Sequence, residues 1–387
     1  MTTHIPAPLQ MARPRANSAP GGPRRPEGRG DLSEALLEVL TGRPAGSGSG
    51  AGRGSPAHRL SAIPPDGQGE DGLHDEDLQL ALYLCYELHY RGLAGVDPEW
   101  EWDPEVIRFR SGLERALEAA LASVAERTAR AVDAKAELLA MAGSGSGPSL
   151  SGHMAERGTL AEMRELAVHR SAYQLKEADP HTWAIPRLSG RAKAAMVEIQ
   201  SDEYGEGREA EMHSVLFADT MRELGLDPTY GAYLDQIPAI TLATVNLVSM
   251  LGLHRRWRGA LVGHLALFEM TSVGPMGRYS LALERLGLGI RARRFYDAHV
   301  LADAHHEQVA LHQMVDGLIE AEPDLAADVV TGARWLTAVE GAFTAHVLDS
   351  WSGGRSSLRM TGPARPIDAR CGAGGGSRRE AAISSVA

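Results

Sequence analysis

Histidine and aspartate recur in "FYDAHVLADAHHEQVALHQMV" (295–315) at spacings that can hold a metal ion. On a helix turning about 100° per residue, Asp303 lies about 40° from His299 and His306 about 20° to its other side. The three side chains therefore leave one face over two turns, in the pattern HxxxDxxH. His305 sits about 240° round the helix and His312 about 220°, so neither joins the trio. Imidazole nitrogen and carboxylate oxygen at this spacing suit iron, manganese or zinc. Helical bundles build such centres from inward carboxylates and histidines on facing helices, so the trio requires partners from elsewhere in the chain.

Two segments offer them. In "IQSDEYGEGREAEMHSVLF" (199–217), His213 stands among Met212, Leu216 and Phe217, which mark an inner face. Glu206 is seven residues before His213 and shares its face if the helix is uninterrupted. Glu203, ten residues before, falls about 80° off that face, but Gly205 and Gly207 can bend the backbone and bring it round. The plainer reading of this segment is an acidic run favoured at a helix N-terminus. In "GALVGHLALFEMTSVGPMGRYS" (259–280), Glu269 is a lone acid in an apolar helix. A buried carboxylate has to be paired or bound to metal. The plainer alternative is an ion pair with Arg278, while His264, about 140° away, belongs to another face.

These residues must be carried by helices. Apolar residues recur at three- and four-residue steps from about 76 to 142 and from 153 to about 352, and alternation of period two is nearly absent. The chain is expected to be all-α. Helices are expected near 157–178, 187–202, 207–224, 236–252, 255–273, 276–286, 289–320 and 323–351, punctuated by Pro180, Pro186, Pro228, Pro238 and Pro323. Residues 1–75 are rich in Pro, Gly, Ser, Ala and Arg and are expected to form a disordered tail, with "DLSEALLEVLTG" (31–42) as a transient or docking helix within it. Residues 76–143 form an N-terminal helical extension, "SGSGPSLSG" (144–152) a flexible joint, 153–353 the metal-bearing domain, and 354–387 a flexible C-terminal tail.

Composition excludes several classes. A net charge of -11 argues against nucleic acid as a partner. Two distant cysteines, Cys85 and Cys371, give neither a disulfide framework nor a thiolate metal site. The start of the chain lacks the apolar run of a secretory leader, and a reducing, cytoplasmic setting is expected. The apolar run 237–253 is broken by Thr241, Thr244, Asn246 and Ser249, so a buried core helix is expected there and no membrane span.

Taken together, "DEYGEGREAEMHSVLFADTM", "LHRRWRGALVGHLALFEMTS" and "HVLADAHHEQ" resemble the haem-oxygenase-like diiron oxidases and oxygenases, in particular the iron-containing redox enzymes. The resemblance extends over about 77–359, including "CYELHYRGLAGVDPEWEW" and "WSGGRSSLR". It implies a haem-oxygenase-like up-down helical bundle with a metal site between its core helices. The implied ligands are Glu203, His213, Glu269, His299, Asp303 and His306, with Glu203 preferred to Glu206, and no catalytic residue beyond them. It further implies two Fe2+ ions, O2 as co-substrate and a small-molecule substrate, an amine or an amino-acid-like or fatty-acid-like metabolite. The reaction would be N-oxygenation or oxidative C–C cleavage, with an external electron donor and a homodimer both compatible.

Neighbours in sequence supply further candidates. Tyr204, Arg278, Tyr279 and Glu307 adjoin the ligands, and Phe268, Met270 and Met212 could line a pocket. Two other readings compete. Cofactor-free or haem-handling relatives on this fold would not require all six ligands. A non-catalytic helical metal-binding or scaffold protein on the same fold would bind metal without productive oxidation.

Overall fold

Helices begin where the sequence supplies acceptors for their first free N–H groups. The computed structural model describes residues 22–44, 60, 71–128, 132–144 and 148–359. In chain order the helices are α1 (Asp31–Leu40), α2 (Glu76–Glu87), α3 (Pro104–Val124), α4 (Ala134–Gly143), α5 (Leu150–Glu156), α6 (Leu160–Gln174) and the single turn α7 (Asp179–Thr182). They continue with α8 (Gly190–Glu203), α9 (His213–Glu223), α10 (Ala239–Leu253), α11 (Arg258–Arg285), α12 (Ile290–Val309), α13 (Asp316–Ala321) and α14 (Ala326–Ser352). Asp75 caps α2, Asp103 caps α3 just before Pro104, and Thr159 with Glu162 forms a capping box on α6. Among the described residues there is no strand, and no helix is long and apolar enough to cross a membrane.

The bundle is organised around α11, which packs along both α12 and α14. On the far side of α12 lie α8 and α9, while α10 packs between α2 and α14. The crossing of α11 and α14 is set by a pair of glycines. A Cβ on Gly263 would run into the Val329 carbonyl oxygen, and one on Gly332 into that of Ala260. The two backbones therefore touch, and the core-facing side of α11 carrying Glu269 is held at fixed depth. The apolar run 237–253 becomes α10, whose residues are nearly all buried, as its composition predicts.

Several expectations are corrected. Helix α1 is docked rather than loose: the Asp77 carboxylate accepts from Leu32 N at 2.7 Å, Ser33 N at 2.8 Å and Ser33 Oγ at 2.5 Å. Leu36 and Leu40 bury fully beneath it. The C-terminal segment stays packed to Arg359, because Ser357 donates to Glu165 and Arg359 reaches Glu76. The remaining tail residues, 1–21, 45–59, 61–70 and 360–387, lie outside the described residues, as does Cys371. The joint expected at 144–152 is partly helical, since Ser149 caps α5. The expected break between 273 and 276 is absent, and α11 runs unbroken through Pro275.

The segment after α8 departs most from a continuous helix. Gly205, Glu206 and Gly207 all have positive φ, at 62°, 50° and 79°. A Cβ on Gly205 would come within 2.6 Å of the Glu211 and Met212 backbone. Only glycine tolerates both the left-handed conformation and that approach. The chain thus turns sharply after Glu203 and restarts as a helix at His213.

Candidate metal centre

The α12 trio is buried as the spacing predicts, with His299, Asp303 and His306 at 3%, 2% and 0% exposure. His305 points outward to Glu198, at 2.9 Å, and His312 outward to Lys135. The turn at 205–207 brings Glu203, the last residue of α8, against His213, the first of α9, with Oε2 and Nδ1 2.8 Å apart. Glu206 is exposed and pairs with Arg208 at 2.8 Å. Its seven-residue spacing from His213 was meaningful only on an unbroken helix, and no such helix forms. Glu269 enters from α11, its Oε2 3.4 Å from His306 Nδ1.

A seventh residue joins these six. Glu177, in the connection between α6 and α7, is buried, with Oε2 3.8 Å from His299 Nε2. Sequence periodicity could not single it out, because it lies on no regular helix. The only signal was an acid directly after an apolar-faced helix, in "YQLKEADP".

The donor atoms fall into two groups that share one carboxylate. Glu177, Glu203, His213 and His299 bring ligand atoms within 4.8 Å of one another, and so do Glu203, Glu269 and His306. Asp303 flanks the second group, Oδ1 3.6 Å from His306 Nδ1. Four of these atoms, Glu177 Oε2, Glu203 Oε2, His213 Nδ1 and His306 Nδ1, are buried and accept or donate no hydrogen bond. Folded proteins rarely leave buried polar atoms without partners, so their convergence fits bound cations.

The second partners of the histidines fix which nitrogen is free. His299 Nδ1–H donates to the Phe295 carbonyl at 2.9 Å, leaving Nε2 for the centre. His306 Nε2–H donates to Asp202 at 2.8 Å, leaving Nδ1. Ser272 Oγ donates to Asp303 Oδ2 at 2.5 Å. In the metal-free chain, burial opposes charging of His299 and His306, but Glu177 beside the first and Asp303 with Glu269 beside the second overcome it. Their pKa values rise to about 10 and about 11. Burial pushes Glu269 up to about 8, whereas Glu203, despite burial, is drawn down to about 2, first by His213.

A small enclosed cavity adjoins the ligands, walled by Tyr173, His181, Gln200, Leu265 and Phe268, with room for roughly one water. Phe268 lines it as anticipated, whereas Met270 and Met212 do not. Arg278 does not pair with Glu269; it donates to Ser151 Oγ at 2.9 Å. Tyr279 packs on Tyr296 and Tyr204 donates to Asp179. Among the described residues no hydrogen bond joins Tyr204, Arg278, Tyr279 or Glu307 to a candidate ligand. His264 faces away from Glu269's partners, 3.1 Å from His181.

Comparison with known proteins points the same way. Residues 164–341, just under half of the chain, match the family described as iron-containing redox enzyme. A nitrosourea synthase from Streptomyces achromogenes subsp. streptozoticus is 26% identical over 159 residues. That stretch spans 41% of this chain and only 34% of the relative.

Proposed function

We propose that the chain, whose residues 164–341 match the iron-containing redox enzyme family, is a non-haem diiron, O2-dependent oxidase or oxygenase. The observation that carries this reading is the shared carboxylate: Glu203 stands in both donor groups, as a residue between two ions would. Glu177, His213 and His299 would hold one ion, and Glu269, His306 and Asp303 the other. Bound there, two Fe2+ ions would supply two electrons together to dioxygen. Four carboxylates against two divalent ions leave the buried site neutral, which lowers the cost of placing the metals away from water.

The chain's own groups set the conditions. Phe295 O and Asp202 hold the His299 and His306 rings in the tautomers that direct a lone pair inward. Ser272 holds Asp303. Leu265 and Phe268 exclude bulk water from the adjoining space. The substrate proposed is a small amine or an amino-acid-like or fatty-acid-like metabolite. Likeness to a protein named for making a nitrosourea, in which nitrogen is oxidised, favours N-oxygenation of an amine over C–C cleavage. Anaerobic Fe2+ loading followed by O2 tests the reading. Two irons per chain and O2 uptake that is abolished in His306→Ala are expected. Iron bound without O2 uptake would instead favour the non-catalytic metal-binding alternative.

A further inference from the structure

The connection that carries Glu177 is tied to a helix outside the stretch that matches the family. Glu177 lies between α6 and α7, where no regular helix sets its position. Its neighbour Lys176 reaches the other way, toward α2. Lys176 Nζ lies 3.4 Å from Glu87 Oε2, and the two side chains are 1% and 0% exposed. The Tyr230 hydroxyl donates to the same Glu87 oxygen at 2.6 Å and lies 3.1 Å from the Tyr83 hydroxyl. The ammonium also sits over the Tyr90 ring, 4.0 Å from its centre. One residue earlier, the Leu175 carbonyl accepts from the Arg91 guanidinium at 3.1 Å. The backbone at 175 and the side chain at 176 are thus both held by residues 87–91, which precede the matched residues 164–341. The side chain at 177 reaches His299 on α12, with Oε2 3.8 Å from Nε2.

A buried ion pair needs a reason other than stability. Taking two charges out of water offsets most of their attraction, and an apolar pair of similar volume often stabilises a fold as well or better. The pair adds direction instead. An ammonium held between a carboxylate and an aromatic face has one seat, whereas an alkyl chain has several. Lys176 and Glu177 share a peptide bond, so the seat of the first sets where the second begins. We infer that the Lys176–Glu87 pair positions Glu177, so that α2 holds the donor group of Glu177, Glu203, His213 and His299 in register, a role that rests on the metal centre proposed above.

Anaerobic Fe2+ titration of the full chain, with iron per chain and the thermal midpoint of the iron-free protein, tests it. The double variant Glu87→Leu/Lys176→Met removes both charges and leaves neither unpaired, so the midpoint should stay near the wild-type value. One of the two ions should nevertheless bind about ten-fold or more weakly, the other as in wild type. Combined with Glu177→Gln, the double variant should cost no further iron, because the group to be positioned is already disabled. Two ions bound with wild-type affinity in the double variant overturn the inference. So does a further loss of iron on the Glu177→Gln background, which would mark an effect on the fold at large. If the double variant does not fold, Tyr230→Phe takes its place, since it keeps both charges and removes a second partner of Glu87. A smaller loss at one ion, absent on the Glu177→Gln background, is then expected, and unchanged affinity for both ions overturns the inference. Failure of wild type to take up iron would defeat the metal-centre reading itself, which is a separate result.

Discussion

Substituting Glu203 by Gln should impair both metal positions, whereas Glu177→Gln should impair one. Glu203 Oε2 sits 2.8 Å from His213 Nδ1 and belongs to both donor groups, while Glu177 belongs only to the group with His213 and His299. Glutamine keeps the shape of glutamate and removes the charge. A contact to a charged group contributes about 1.5–3 kcal/mol, so each ion touched by the substitution loses about ten- to a hundred-fold in affinity. Burial moves this estimate to its upper end, since both carboxylates are about 5% exposed or less and water cannot replace them. For Glu203→Gln the loss falls on two ions, for Glu177→Gln on one. Anaerobic Fe2+ titration, then iron per chain after gel filtration, separates the cases: about two for wild type, about one for Glu177→Gln and well under one for Glu203→Gln. Glu203→Gln retaining one tightly held iron, equal to Glu177→Gln, would refute the shared-carboxylate arrangement.

Asp202→Ala removes the acceptor of His306 Nε2–H. Loss of such an outer partner weakens metal binding 10- to 100-fold. The Asp202 side chain is 37% exposed, so water can substitute and about ten-fold is expected, read by Co2+ titration. Glu206→Gln, in contrast, should leave iron per chain at the wild-type value, because that side chain pairs with Arg208 at the surface. Gly263→Ala should destabilise the fold by about 3 kcal/mol, seen as a lower thermal midpoint, since the backbones of α11 and α14 must separate. His169 is buried between Thr241 and Ser357, and burial lowers its pKa from 6.5 to about 3. Its contribution is present above the unfolded value of 6.5 and is lost as pH falls toward 3. At pH 5 the loss is about 2 kcal/mol relative to pH 7.5. Urea unfolding of wild type and His169→Gln should show a smaller pH dependence in the variant.

Local geometry made the α12 candidate ligands legible in the residues themselves. Helical rotation depends only on near neighbours, so HxxxDxxH declares one face wherever the helix packs, and His305 could be set aside although it touches His306 in sequence. The isolated acid Glu269 was legible for a related reason: an apolar helix leaves a carboxylate no cheap place to go. The same rotation rule misled at Glu206, because it presumes a continuous helix and the left-handed turn at 205–207 ends one. Resemblance to the family, not periodicity, pointed to Glu203 there. Glu177 lies in an irregular connection with no period to betray it, and only the packing of that connection against α12 brings it to His299. The sharing of Glu203 between two donor groups and the docking of α1 on Asp77 are likewise contacts between residues remote in sequence. Spacing along a chain reports what one helix presents; which carboxylate belongs to both donor groups depends on how α8, α9, α11 and α12 come together, and that is decided by tertiary packing.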